Sequence, residues 1–114
     1  MNYTNEQVAT IVTEAKAAAK AAANQFFQEK LGGVDQYCCG FAWVDIYGIR
    51  ANSKIGKALT NVGIRKDSYK KCFSIWDPAE MNCQNVDTLE VGARAAAKVF
   101  EQYGFRAYSG SRLD

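Results

Sequence analysis

The chain has 114 residues, of which 48% are hydrophobic and 23% charged, with a formal net charge of +2 and no histidine. This length suits one domain with one core, and the composition argues against extended disorder. The absence of histidine excludes Ser–His and Cys–His catalytic pairs and histidine metal sites within the chain. Acid–base chemistry would therefore depend on carboxylates, Lys, Tyr or Cys.

The N-terminus has no basic segment followed by an apolar one, so no secretory signal is predicted. No apolar run approaches the roughly 18 residues that a membrane span requires. We therefore expect a soluble cytoplasmic protein with no membrane partner.

The first segment, residues 1–31, predicts one long helix. Thr4 with Gln7 forms a capping box, and the residues that follow are rich in Ala, Glu, Lys and Gln, which are strong helix formers. Its apolar stripe is mostly alanine, and Gly32 or Gly33 ends it. A helix of this length often packs on a partner outside its own domain, and a second copy of the chain is the simplest partner.

Residues 37–114 predict an α+β core. Strands are expected over residues 37–47, 69–76 and 105–109, with a short helix capped by Asn52 or Ser53 and a later helix starting at Asp87. The predicted order is α-β-α-β-α-β in one domain, residues 1–114. We expect a two-layer sandwich with a three-stranded sheet, helices mostly on one face, and a parallel or split strand arrangement. The last residues, 110–114, are expected to fray or to dock against the third strand.

Side chains that alternate along a strand divide this sheet into two faces. One face is expected beneath the helices and carries Val44, Ile46, Phe73, Ile75, Phe105 and Ala107. The opposite face carries Phe41, Trp43, Lys70, Trp76, Arg106 and Tyr108. A register slip of one residue would exchange the two sets.

The aromatic face has two interpretations. It is either buried in a homodimer or beneath the N-terminal helix, or it is a platform for a base or nucleotide. In the second case Trp43, Trp76 and Tyr108 would stack on bases, and Lys70 and Arg106 would contact phosphate. Arg112 is a further candidate for an acidic ligand, or it pairs with Asp114. An enzyme that uses Asp45, Asp77, Cys39 or Cys72 is the third alternative.

The segment Arg50–Lys71 carries seven basic residues and one acidic residue. Such a segment can contact nucleic acid or another polyanion, or it can simply solvate an exposed helix and loop. The four cysteines, Cys38, Cys39, Cys72 and Cys83, have no C-x-x-C spacing, so we expect buried thiols and neither a metal site nor a cofactor.

Three motifs occur in a fixed order: Cys39–Val44 (CGFAWV), Ser74–Pro78 (SIWDP) and a C-terminal Ser111–Asp114 (SRLD). With them, residues 37–114 resemble a group of small bacteriophage and prophage proteins. The resemblance implies a viral source and a location in the host-cell cytoplasm, and it carries over no catalytic residue. We therefore expect a non-enzymatic, homodimeric phage-type accessory protein, with a nucleotide or nucleic-acid binding module as the alternative and a small enzyme as a third.

Overall fold

The computed structural model describes residues 1–114 and has three helices and one four-stranded sheet. In chain order the elements are α1 Asn5–Leu31, β1 Gly40–Tyr47, α2 Lys54–Asn61, β2 Arg65–Asp67, β3 Cys72–Trp76, α3 Val86–Gln102 and β4 Arg106–Leu113. The strands lie in the order β2-β3-β1-β4, and all neighbours are antiparallel. Because β1 and β2 are both antiparallel to β3, they run in the same direction with β3 between them. The predicted α+β class is therefore confirmed. The parallel or split arrangement predicted for the strands at residues 37–47 and 69–76 is wrong, because β1 and β3 are direct antiparallel neighbours.

The sheet has one strand more than the sequence predicted, and the element order is α-β-α-β-β-α-β. The missed strand is β2, the three residues Arg65, Lys66 and Asp67 at one edge of the sheet. No run of apolar or β-branched residues marks it, because an edge strand that short buries little.

The predicted second strand starts too early, because Tyr69–Lys71 forms a turn. The Asp67 carboxylate accepts hydrogen bonds from the backbone N–H groups of Tyr69 and Lys70, at 2.9 and 3.2 Å. Lys71 has a left-handed backbone with a φ of 57°. This local side-chain bonding competes with the strand, so β3 begins at Cys72.

The predicted third strand ends too early, and the expected fraying of residues 110–114 is wrong. β4 continues to Leu113, which pairs with Gly40 at the beginning of β1. The backbone N–H of Asp114 donates to the carbonyl of Cys39 at 3.1 Å. Pairing with the whole of β1 therefore keeps this segment ordered.

The capping box of α1 is confirmed, and Gly32 ends the helix with a left-handed φ of 63°. The helix has 27 residues, about 40 Å of length, and the molecule measures 43 × 27 × 19 Å. Its buried stripe contributes Val8, Ile11, Val12, Ala15, Ala19 and Ala23 to the same core as α3 and the sheet. The apolar stripe is thus covered by this chain itself.

The start of α3 differs from the prediction by two residues, because Asn85 is the N-cap in place of Asp87. The side-chain oxygen of Asn85 accepts from the backbone N–H and the hydroxyl of Thr88, both at 2.8 Å. The side-chain amide donates to the carbonyl of Gln36 at 2.9 Å. All polar atoms of this buried side chain are therefore paired, as burial requires.

The predicted division of the sheet into two faces is confirmed. The residues expected beneath the helices, Val44, Ile46, Phe73, Ile75, Phe105 and Ala107, are all buried in the core with α1 and α3. The opposite face of the sheet has no helix over it, because every helix contributes to the core on the first side. None of the three helices is long and apolar enough to cross a bilayer.

The helical layer depends on a close approach of α1 and α3 at Gly92. A Cβ at this position would lie 3.1 Å from the carbonyl oxygen of Ala19 and 3.0 Å from the Cβ of Ala79. We predict that Gly92→Leu lowers the free energy of unfolding by about 2–3 kcal/mol through overpacking, measured by chemical denaturation. Ala21→Leu on the exposed side of α1 is the control and should change it little. Equal stability of the two variants would contradict this packing.

Candidate binding site on the open face of the sheet

Eleven residues of β1, β3 and β4 lie on the side of the sheet that has no helix, and we call this surface the aromatic face. They are Phe41, Trp43, Asp45 and Tyr47 of β1, Cys72, Ser74 and Trp76 of β3, and Arg106, Tyr108, Gly110 and Arg112 of β4. Three large side chains are widely accessible, with exposed fractions of 40% for Phe41, 51% for Trp76 and 56% for Tyr108.

The two tryptophans lie side by side on the two central strands. Trp43 of β1 is paired in register with Trp76 of β3, and their ring centroids are 5.0 Å apart at an angle of 38°. Phe41 contacts Trp76 edge-on at 6.2 Å. The guanidinium of Arg112 lies 5.5 Å from the Phe41 ring centroid and 6.0 Å from that of Trp76. This arrangement combines an aromatic platform with a cation beside it.

The indole of Trp43 lies across β4, and Gly110 makes room for it. A Cβ at Gly110 would be 2.6 Å from the Nε1 and Cε2 atoms of Trp43, closer than packed atoms can approach. Trp43 and Gly110 are direct partners in the β1–β4 register. The missing side chain thus lets the indole lie against the sheet.

Asp45 is a buried carboxylate in the middle of this face, with an exposed fraction of only 8%. It accepts hydrogen bonds from the Ser74 hydroxyl at 2.6 Å, from the Trp43 Nε1 at 3.2 Å and from the Lys70 Nζ at 3.3 Å. The Lys70 ammonium also lies 4.9 Å from the Trp43 ring centroid. Three donors therefore satisfy the carboxylate, and one of them fixes the orientation of an indole.

A second aromatic group lies further along β1, where Tyr47 contacts Tyr108 at a centroid distance of 5.8 Å. Burial raises the pKa of the Tyr47 hydroxyl, and the neighbouring Cys72 and Asp45 raise it further. Burial likewise raises the pKa of the Cys72 thiol. Neither group is therefore ionised near neutral pH.

All six residues that the sequence singled out for ligand binding reach this face. Trp43, Trp76, Tyr108, Arg106 and Arg112 belong to its strands, and Lys70 extends over it from the turn before β3. Arg112 does not pair with Asp114 but stacks on aromatic rings.

The basic segment Arg50–Lys71 does not form one surface. Lys54 and Lys57 belong to α2, whereas Arg65 lies on β2 beside Ser74, on the open side. Lys66 points to the other side, where its Nζ donates to the carbonyl of Ile49 at 3.1 Å. The excess positive charge of the segment is therefore divided between different sides of the molecule.

Sequence reasoning named Asp45 only as a candidate for the enzyme alternative, and it assigned no role to Gly110. Asp45 alternates with Trp43 and Tyr47, so the period-two pattern alone places a carboxylate among the aromatic residues. The role of Gly110 could be recognised only from the register between β1 and β4, because the sequence alone does not show that Gly110 lies opposite Trp43.

A cavity of about 270 Å³ lies beside the Phe41 end of the aromatic face and is lined by Cys39, Phe41, Asp77, Cys83, Leu89 and Asp114, among others. Burial raises the pKa of Asp77, whose Oδ1 has no hydrogen-bond partner.

Of the cysteines, Cys38 and Cys39 are exposed, Cys83 is half-buried and only Cys72 is buried, so the prediction of buried thiols is wrong for the first two. No three His, Cys, Asp or Glu side chains are grouped as metal ligands would be.

Comparison with protein-family models, with curated proteins and with solved structures found no match to this chain. The resemblance to small phage proteins therefore stays a prediction.

The contact between Trp43 and Gly110 on the aromatic face can be tested by substitution. We predict that Gly110→Ala displaces the Trp43 indole from Asp45 and costs about 1–2 kcal/mol of unfolding free energy, because the added methyl group would overlap the ring. The shift of the Trp43 indole N–H signal in a ¹H–¹⁵N spectrum measures the displacement. Ser109→Ala, on the other side of the same strand, is the control and should leave that signal in place. An unmoved indole signal in Gly110→Ala would contradict the contact.

Proposed function

We propose that this chain is a non-enzymatic binding protein that holds single-stranded nucleic acid on the aromatic face. The observation that carries the proposal is the pair of tryptophans, Trp43 and Trp76, held side by side on an uncovered sheet with Arg112 beside them. Exposed aromatic surface of this extent is uncommon on soluble proteins unless it binds something.

Stacking is the interaction that this face offers to a base. Trp76, Phe41 and Tyr108 are exposed enough for a base to lie against them, and each base that stacks on an aromatic side chain contributes about 1–3 kcal/mol. The two tryptophans contact each other, so a base would lie on their outer surface and not between them. Stacking of this kind favours single strands, whose bases are free to turn outward.

Phosphate contacts would come from Arg106 and Arg112. Neither forms an ion pair within the chain, and both extend from β4 on the open side. Lys70 is a weaker candidate, because its ammonium already pairs with Asp45. With two phosphates neutralised, the logarithm of the affinity should fall with the logarithm of the salt concentration with a slope of about −1.4.

The strand order supports the same proposal by analogy only. After α1, the elements follow the order β-α-β-β-α-β with the sheet order β2-β3-β1-β4, which is a split β-α-β arrangement. Four-stranded sheets with aromatic residues on the open face are one way in which proteins bind single-stranded RNA. Because one fold hosts many functions, the proposal depends on the side chains of the aromatic face and not on the strand order.

Catalysis has less support than binding. Asp45 already accepts from three donors, and burial raises the pKa of the Cys72 thiol. Asp45 is therefore poorly placed to act as a base, and Cys72 is poorly suited to act as a nucleophile at neutral pH.

A titration of tryptophan fluorescence with oligothymidylate of eight nucleotides at low salt tests the proposal. We predict quenching on binding, and a loss of affinity of at least about tenfold in Trp76→Ala because one stacking surface is removed. Arg112→Ala should weaken binding and make the salt slope less steep by about 0.7, the contribution of one phosphate.

Arg94→Ala is the matched control, since it removes the same charge from the exposed side of α3, in the helical layer. It should bind like the unchanged protein. If Arg94→Ala weakened binding as much as Arg112→Ala, the ligand would be responding to net charge and not to the aromatic face. Absence of quenching at low salt would remove the proposal.

A further inference from the structure

The strand β4 lies at an edge of the sheet and has no element on its outer side. It has eight residues, from Arg106 to Leu113, and within the chain it packs only against β1 and α3. It contains no proline and no lysine, which are common means of protecting an edge from pairing with another chain. The opposite edge, β2, has only three residues. The long free edge is therefore the one suited to pair with another strand.

The ladder with β1 determines which backbone groups of β4 point outward. The N–H of Asp114 donates to the carbonyl of Cys39 across the ladder, so even-numbered residues of β4 direct their backbone groups towards β1. The odd-numbered residues Ala107, Ser109, Ser111 and Leu113 then direct theirs to the free side. Four residues on one copy thus have unpaired backbone donors and acceptors.

We infer that β4 pairs antiparallel with β4 of a second copy, in the register that places Gly110 opposite Gly110. In a two-fold dimer each contact occurs twice, and residues directly opposite must share a face of the sheet. In this register Arg106 of one copy faces Asp114 of the other, and Tyr108 faces Arg112. The first pair has opposite charges, and the second places a guanidinium beside an aromatic ring. These pairs are of the closer type without hydrogen bonds, in which side chains approach most.

The neighbouring registers are less favourable. Pairing centred on Ser109 would place Arg106 directly opposite Arg112, and like charges in that position are destabilising. Pairing centred on Ser111 would place Tyr108 opposite Asp114 and Gly110 opposite Arg112, so neither favourable pair would form. The Gly110 register also brings the exposed Leu113 opposite Ala107, on the helical side of the sheet.

The dimer changes the binding site as well as the oligomeric state. It joins two sheets into one of eight strands and leaves the aromatic face of each copy open. The two Gly110 residues form the floor between the two Trp43 indoles, and Tyr108 and Arg112 from different copies lie on both sides of it. This inference does not depend on which ligand the face binds.

Light scattering and sedimentation equilibrium on the full chain, over a range of concentrations, test the pairing. We expect a concentration-dependent dimer with a micromolar dissociation constant, because strand pairing buries a small interface. Ser109→Pro removes an outward N–H that has no partner within the chain and should weaken dimerisation at least about tenfold, whereas Ser109→Ala should not. Thermal unfolding of the Ser109→Pro variant, followed by circular dichroism, checks that this variant remains folded as a monomer.

A charge exchange tests the register without altering the backbone. Arg106→Asp and Asp114→Arg each place like charges opposite each other across the dimer, so each should weaken it by about two- to fivefold. The double variant restores opposite charges and should dimerise like the unchanged protein. Failure of the double variant to recover would overturn the register. A chain that is monomeric up to about 1 mM, or equal dimerisation of Ser109→Pro and Ser109→Ala, would overturn the pairing itself.

Discussion

The carboxylate of Asp45 connects β1, β3 and the turn before β3 in the middle of the aromatic face. It accepts from Trp43 on its own strand, from Ser74 on β3 and from Lys70 in the turn that precedes β3. A carboxylate buried this far would be costly without such partners, so its presence requires all three donors to be in place. The orientation of the Trp43 indole and the position of the Lys70 ammonium therefore depend on this carboxylate.

The helical layer explains why this face is left open. Small residues on α1 and α3, with Gly92 at the closest approach, let the two helices pack together over one side of the sheet. On β1 the side chains under this layer are small or branched, whereas those on the other side are aromatic or charged. All three helices pack on the first side of the sheet. The second side has its own polar network and aromatic contacts, and its remaining exposed rings are available to a ligand.

The strand β4 can pair with a second copy through its edge and still contribute side chains to ligand binding on the aromatic face. Its even-numbered side chains contribute Arg106, Tyr108 and Arg112 to the face, while its odd-numbered backbone groups point to the free edge. The sequence left open whether the aromatic residues bind a second copy or another ligand. Pairing through the edge would let the chain associate with itself without covering the face.

The side-chain period predicted the two faces of the sheet because β1 and β3 each have one apolar face that is fully buried. It also placed Trp43 and Trp76 on the same side. The short strand β2 was missed because Arg65, Lys66 and Asp67 give no apolar signal, and β4 was shortened because Gly110 and its polar neighbours look like a tail. The roles of Asp45 and Gly110 depend on register between distant strands, which local patterns do not contain.

The most direct test of the aromatic face is a titration of ¹⁵N-labelled protein with oligothymidylate, followed by the indole and backbone N–H signals. The account predicts that both indole signals and the backbone signals of β1, β3 and β4 shift together, whereas those along α1 and the exposed side of α3 stay in place. Shifts confined to α2 and the loops of the Arg50–Lys71 segment, or indole signals that do not move while the ligand binds, would contradict it.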